Sequence, residues 1–188
     1  MNRFLKQRSV SATPLAVCLI VFGLAGQASA DDHEGSTIIT REEAQATLAQ
    51  GLENLATGRT VSDIVMRHID VRGQYMGVSV VQRSKKEVTA TETAIAHVNL
   101  DEIYYIVEGE GTMITGGEWV DMQTSVSDLL GPMERGEIRG GVLQEVRPGD
   151  IAIIPKGMPH GWHEIRTENI SYIIYRGDPD KVMKEKTE

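Results

Sequence analysis

Two histidines and one glutamate stand at predicted strand ends, where side chains from separate strands can share one interior point. His97 closes a β-prone run, and Glu102 opens the next run after the short link of residues 98–101. His160 follows a turn that two prolines make rigid. Two imidazoles and one carboxylate on one face suit Fe²⁺, Mn²⁺ or a related divalent ion, and they leave positions open for a substrate oxygen, dioxygen or water.

Histidines also occur elsewhere in the chain, and each one taken singly is better explained as structural or solvated. The five are His33, His68, His97, His160 and His163. Their setting distinguishes His97 and His160: His97 ends a predicted strand just before the one that Glu102 opens, and His160 follows a proline-containing turn from a distant pair of strands.

The elements that must position these residues are mainly short strands. A capping box at Thr40 and leucines at helical spacing predict one helix over Arg41–Ala56, ended by Gly58. Short strands separated by Gly and Pro turns predict an all-β sandwich or barrel. The strands are predicted at residues 61–71, 75–82, 89–98, 102–107, 112–115, 142–146, 150–154, 161–165 and 170–176, with a polar turn at 84–87.

Two segments are predicted to lie outside the strands. Residues 116–141 are glycine-rich and long, which indicates a loop that either covers the barrel mouth as a lid or is a variable surface insertion. Residues 178–188 form a charged tail, for which a frayed helix is the expectation.

The N-terminus has the order of a secretory signal peptide over residues 1–30. Three basic residues precede an apolar run over residues 15–26, and Ala28 and Ala30 then supply the small residues of a cleavage site. A retained membrane anchor is the alternative, although the apolar run is short for a bilayer. Lipidation at Cys18 is a weaker alternative. We therefore expect export to the periplasm or the medium.

Removal of residues 1–30 leaves an acidic chain without cysteine. It has 16 Lys+Arg against 27 Asp+Glu, a net charge of −11, which argues against nucleic acid or anionic lipid as a partner. Without a disulfide, stability must come from the core or from a metal. The expected partner is a small molecule, and a homodimer through edge strands is expected as well.

The chain resembles the cupins, and in particular small single-domain bacterial cupins, in two ordered motifs. The first motif's histidine, glutamate and glycine match His97, Glu102 and Gly109. The second motif matches Gly149, Pro155, Gly157 and His160. The resemblance implies a jelly-roll β-barrel over residues 60–177, preceded by a polar segment and helix over residues 31–59. It also implies a divalent metal at His97, Glu102 and His160, with Fe²⁺ or Mn²⁺ preferred and Zn²⁺ or Ni²⁺ as further candidates.

The first motif departs from the family pattern at two positions. Ile95 stands where the family has a first histidine, and Thr89 stands where it has a leading glycine. Either the three remaining residues hold the metal alone, or the metal is lost, or another side chain replaces the missing ligand. Asn99 and His68 are the candidates for that replacement.

Strand alternation suggests further residues of the barrel interior. If Glu102 points inward, so does Tyr104, which either donates a hydrogen bond or proton to a ligand or simply fills the barrel. Trp162 lies two residues after His160 and so points to the same face of its strand, where it either borders the site or belongs to the core. His163 lies on the opposite face and is expected to point outward. Three residues of the long loop could meet an anionic substrate: Trp119, Arg135 and Arg139.

Two functions fit these residues. The first is a metal-dependent enzyme, an oxygenase or a lyase, isomerase or decarboxylase, that acts on a small oxygen-rich substrate. The second is an exported, non-catalytic barrel that binds a small ligand, which the loss of a ligand at Ile95 favours. A phosphate-cradling loop and a serine or cysteine nucleophile are not supported, because no Gly-rich turn opens a helix and no Ser-centred elbow occurs.

Overall fold

The computed structural model describes residues 36–187, and from Ile38 onward the chain forms one compact unit. The predicted signal peptide and His33 lie outside the described residues, so export stays a prediction, as does the homodimer. Within residues 36–187, no helix has the length and apolar content needed to cross a membrane.

Ten antiparallel strands make up most of the described chain. They are β1 (Val61–Asp70), β2 (Tyr75–Lys86), β3 (Glu92–His97), β4 (Asp101–Glu108), β5 (Gly111–Thr115), β6 (Glu118–Ser127), β7 (Gly131–Arg139), β8 (Val142–Val146), β9 (Ile151–Ile154) and β10 (His160–Asp178). The predicted class is confirmed: the fold is an all-β jelly-roll barrel with an N-terminal helix.

Strand β10 organises the barrel because its two halves pair with different partners. The half that starts at His160 pairs with β5 and β3, and the half that ends at Asp178 lies between β2 and β4. The main strand order is β1-β2-β10-β3-β7-β6, while β9 joins through β4 and β8 joins through β5. His160 thus lies beside β3 at the start of β10, and Arg176 lies opposite Glu102 of β4 near its end.

The helix α1 (Arg41–Ala56) has the predicted bounds. The Thr40 hydroxyl accepts a hydrogen bond from the Glu43 N–H at 3.1 Å, which satisfies one free donor of the first turn. Glu43 also pairs with Arg67 of β1. Gly51 is buried against Gln82 of β2, so the helix lies on the outer face of these two strands.

Apolar side chains from β4, β5 and β10 fill the barrel. The main core cluster contains Val81, Tyr104, Ile106, Met113, Val146, Ile154, Trp162, Ile165, Ile170, Tyr172 and Ile174. Burial of this set is the principal stabilising contribution, since the described chain has no disulfide. The core leaves one end of the lumen to polar residues, and His97, Glu102 and His160 lie there.

The prediction of a long loop over residues 116–141 was wrong. This stretch is a β-hairpin, in which β6 pairs with β7 and β7 pairs with β3. Nearly all of β6 is exposed, so its sequence needs no alternation of apolar and polar residues. β7 continues the barrel sheet through its pairing with β3, and β6 lies at the end of the main strand order.

Three smaller boundary predictions were also wrong. The polar turn expected at residues 84–87 lies mostly within β2, and the two strands expected at 161–165 and 170–176 are one strand with an irregularity between Ile165 and Asn169. The tail is not a helix: Asp178 accepts hydrogen bonds from later backbone N–H groups, and Lys186 pairs with His68 through the backbone.

Candidate metal centre

His97, Glu102 and His160 come together as predicted, and one ligand atom from each lies within 4.8 Å of the other two. His97 ends β3, Glu102 lies near the start of β4, and His160 opens β10. The turn before His160 is fixed against the other two residues, because the Gly157 N–H donates to the His97 carbonyl at 2.8 Å. All three side chains are buried.

His160 is oriented as a ligand by its own turn. Its Nδ1 lies 2.9 Å from the Met158 carbonyl, so Nδ1–H donates there and the lone pair is on Nε2. Nε2 lies 3.4 Å from Glu102 Oε2, and this buried atom has no hydrogen-bond partner among the described residues. A buried nitrogen without a partner is costly, and a metal ion would satisfy it.

His97 presents the second imidazole. Its Nε2 lies 3.5 Å from Glu102 Oε1. Burial, together with the neighbouring His160 and Arg176, lowers the pKa of His97 to about 4, although the Glu102 carboxylate opposes this shift. The ring is therefore neutral near pH 7, which is the form that binds a metal.

Glu102 is held on both carboxylate oxygens. Arg176 Nε donates to Oε1 and the Tyr104 hydroxyl donates to Oε2, each at 2.9 Å. Burial acts to raise the pKa of Glu102, but its contacts with His160, Arg176 and His97 outweigh burial and hold the pKa well below its usual range. The carboxylate is ionised, and each oxygen keeps a lone pair for a metal.

Arg176 of β10 places a buried positive charge beside this carboxylate. Its Nη2 lies 2.8 Å from Asp63 Oδ2, and its Nη1 donates to the Ser79 hydroxyl at 2.9 Å. Burial acts to lower the pKa of Arg176, but Asp63 and Glu102 raise it above its usual value. One guanidinium thus balances much of the negative charge near the centre.

Ile95 faces the site but supplies no donor atom for a metal. Ile95 is paired with His160 in the strand register, two residues before His97 on the same face of β3. Neither predicted replacement is in the cluster. Asn99 Nδ2 bonds Asp180 Oδ2 at 2.8 Å, and His68 Nδ1 lies 2.7 Å from the Lys184 carbonyl. Among residues 36–187 the cluster therefore has three potential ligands.

A cavity of about 620 Å³ is bordered by His160, whereas His97 and Glu102 are not among its lining residues. Ile95 and Trp162 contribute apolar walls, and Arg83 and Arg135 contribute positive charge. The hairpin also forms part of the wall through residues of β6 and β7.

The other residues that the sequence predicted near the site lie at different places in the barrel. Trp162 is buried in the core and borders the cavity, so both expectations for it hold. His163 pairs with Glu92 away from the cluster. Arg135 borders the cavity, whereas Trp119 packs on the small cluster of Ala94, Ile114 and Ile138. Arg139 is not among the residues that line the cavity.

The sequence did not predict two arginines near the site, the buried Arg176 and the partly buried Arg83. Arg176 shares the phase of Tyr172 and Ile174 in β10, so a single charge at an inward position was the available signal. Arg83 shares the phase of Val81 in the same way, but the predicted strand ended one residue earlier.

The fold and this cluster define a jelly-roll β-barrel with a candidate divalent-metal centre. Neither a protein-family model nor a curated protein matches the chain.

Solved structures similar to the chain share little sequence with it. HppE in its iron(II) form has 11% identity over 63% of this chain and 52% of its own, with a TM-score of 0.42. A putative sugar phosphate isomerase from Acidithiobacillus ferrooxidans has 16% identity over 75% of this chain and 74% of its own, at 0.40. Oxalate oxidase in complex with glycolate has 13% identity over 64% of this chain and 52% of its own, with a TM-score of 0.39. The chain spans about half the length of HppE. Similarity at this level does not identify an activity.

Proposed function

We propose that the chain is a divalent-metal-dependent enzyme of the cupin type that acts on a small, oxygen-rich molecule. The observation that carries this proposal is the buried cluster of His97, Glu102 and His160, in which His160 Nε2 has no protein partner. The adjoining cavity supplies the space for a substrate beside these atoms.

The three side chains would hold Fe²⁺ or Mn²⁺, with Zn²⁺ or Ni²⁺ as further candidates. Such an ion supplies Lewis acidity to the oxygens of a bound substrate. The Met158 carbonyl keeps His160 in the tautomer that offers Nε2. Arg176 and Tyr104 fix the direction of the Glu102 carboxylate from opposite sides.

Tyr104 is best described as a positioning residue. Its hydroxyl donates to Glu102, and burial together with the Glu102 charge raises its pKa well above the usual range. The phenol therefore keeps its proton, and the stacked ring of Tyr172, 4.8 Å away between centroids, holds it in place. A proton-transfer role for Tyr104 stays a prediction.

The reaction is either an oxygenation or a lyase, isomerase or decarboxylase step. Both classes use substrates that present adjacent oxygens, which the open side of a three-ligand centre accommodates. Oxygen uptake with catechols, keto acids and sugar acids separates the two classes, because only an oxygenase consumes dioxygen with its substrate.

A non-catalytic barrel that binds a small ligand is the second candidate. The observation that favours it is Arg176, whose charge already compensates Glu102 without a metal. In this alternative the histidines would contact the ligand directly, and the purified protein would contain no metal.

The metal content of the purified protein decides between these functions. We expect wild-type protein, loaded with Fe²⁺ or Mn²⁺ and then dialysed, to retain metal near stoichiometry, and His160→Ala to lose it. His163→Ala is the matched control, since this histidine lies on the same strand but pairs with Glu92. Absence of metal from the wild-type protein under metal-replete conditions would reject the enzyme proposal.

A further inference from the structure

Arg83 of β2 is a partly buried guanidinium that forms no ion pair with a carboxylate of the described residues. Its Nε donates to the Tyr172 hydroxyl at 2.9 Å. Burial acts to lower its pKa, but Tyr172, Tyr104 and the more distant Asp63 raise it, so the group stays charged. A partly buried guanidinium without an anion costs stability, because it gives up water without gaining a counter-charge. Such a group calls for an anionic partner from outside the chain.

The strand register places the Arg83 side chain in the lumen. Ser79 and Val81 share its face of β2, and both point inward: Ser79 bonds Arg176, and Val81 belongs to the main core. Arg83 also borders the cavity that reaches His160. Arg83 and one residue of the candidate metal centre, His160, therefore border the same cavity.

The neighbouring lysines of the cavity already have partners. Lys85 pairs with Glu87, and Lys86 Nζ donates to the His163 carbonyl at 2.9 Å. Two carboxylates, Asp121 and Glu137, border the same cavity. Arg135 borders it as well, so two guanidinium groups and two carboxylates face the same space. This near balance of charge suits a singly charged carboxylate better than a phosphate dianion, which the two carboxylates would repel more strongly.

We propose that Arg83 binds the carboxylate of a small organic acid in this cavity, which makes organic acids the substrate class of the adjacent centre. The use of that acid as a substrate rests on the proposed function. The binding of the carboxylate does not, because Arg83 and Tyr172 are in place without a metal.

The test compares two probes of the same shape and different charge. Metal-free protein, prepared by dialysis against EDTA, is titrated with benzoate and with benzamide in a calorimeter. We expect wild-type protein to prefer benzoate by about 10–100-fold, the range of a charge-assisted hydrogen-bonded pair. Inorganic phosphate is expected to bind more weakly than benzoate.

Substitutions test whether Arg83 causes the preference for benzoate over benzamide. Arg83→Met should bind the two probes equally, while Arg83→Lys should keep part of the preference because it retains charge without the planar fork. Lys85→Met is the control, since it removes a cavity charge that is already paired and should leave the preference unchanged. Arg83→Met removes the hydrogen bond to the buried Tyr172 hydroxyl, so it is expected to fold with a modest fall in melting temperature.

Three results would overturn the proposal: equal binding of benzoate and benzamide by the wild type, retained preference in Arg83→Met, or stronger binding of phosphate. If Arg83→Met does not fold, the wild-type comparison and Arg83→Lys still decide. A protein that binds metal but shows no benzoate preference would refute only this inference. A protein without metal that prefers benzoate would refute only the proposed enzyme.

Discussion

Replacement of Arg176 by methionine tests how the centre balances its charge. Arg176 is buried between Glu102 and Asp63, with nitrogen–oxygen distances of 2.9 and 2.8 Å. The substitution leaves two carboxylates facing each other in the barrel without a cation. Loss of one partner from a buried ion pair costs about 3–5 kcal/mol, so we expect the metal-free variant to melt about 10 °C lower than the wild type.

A divalent ion should then rescue the variant more than it stabilises the wild type. With Arg176 gone, the metal becomes the only positive charge near Glu102, and its affinity should rise. A ligand at 100 times its dissociation constant stabilises the folded state by about 2.7 kcal/mol, so rescue can recover most of the loss.

The assay is thermal unfolding of metal-stripped protein, with and without added Mn²⁺, for wild type, Arg176→Met and a surface control. Arg166→Met is the control, because Arg166 pairs with Glu164 at the partly exposed surface. We expect that control to change stability by less than about 1 kcal/mol with no extra response to Mn²⁺. Equal stabilisation of wild type and Arg176→Met by Mn²⁺ would refute the reasoning that Arg176 competes with a metal for Glu102.

Two further predictions concern pH and the motif glycines. The folded-state pKa of His97 is lowered from 6.5 to about 4, so between these values the unfolded chain binds a proton that the folded protein does not. Unfolding free energy of the metal-free protein, measured in urea, should therefore fall as pH drops through this window, with a smaller slope in His97→Gln. A methyl added at Gly109 would lie 2.4 Å from the Asn169 carbonyl, whereas one at Gly149 meets nothing within 4 Å, although both have positive φ. Gly109→Ala should be the more destabilising by about 1–3 kcal/mol, and equal losses in urea unfolding would contradict this.

The predictions that succeeded depended on local sequence. A capping box fixes where α1 begins, and turn residues fix where His97, Glu102 and His160 stand relative to their strands. These signals act over a few residues and place each of the three residues at a strand end. That the three converge was predicted from the two ordered cupin-like motifs, because the pairing of His160 with Ile95 joins distant strands.

The features that sequence reasoning missed depend on pairing between distant strands. Residues 84–87 look like a polar turn, yet Lys86 pairs with Ile165 of β10, and this pairing extends β2 past Arg83. Arg176 faces Glu102 because β10 and β4 are in a particular register. No short-range pattern specifies such a register, so the charges that surround the centre could not be placed.

These charges bear on which ligand could complete the centre beside Ile95. A histidine there would add a neutral donor, whereas the charge at the centre is set by Glu102 and Asp63 against Arg176. Glu102, Asp63 and Arg176 together carry a net negative charge, which a bound divalent ion would make net positive. An anion bound by Arg83 would then bring the total charge back towards neutrality. Ile95 itself borders the cavity beside His160 and offers no donor atom. If the centre binds a metal as proposed, an anionic ligand in the cavity would supply both a donor oxygen and negative charge there.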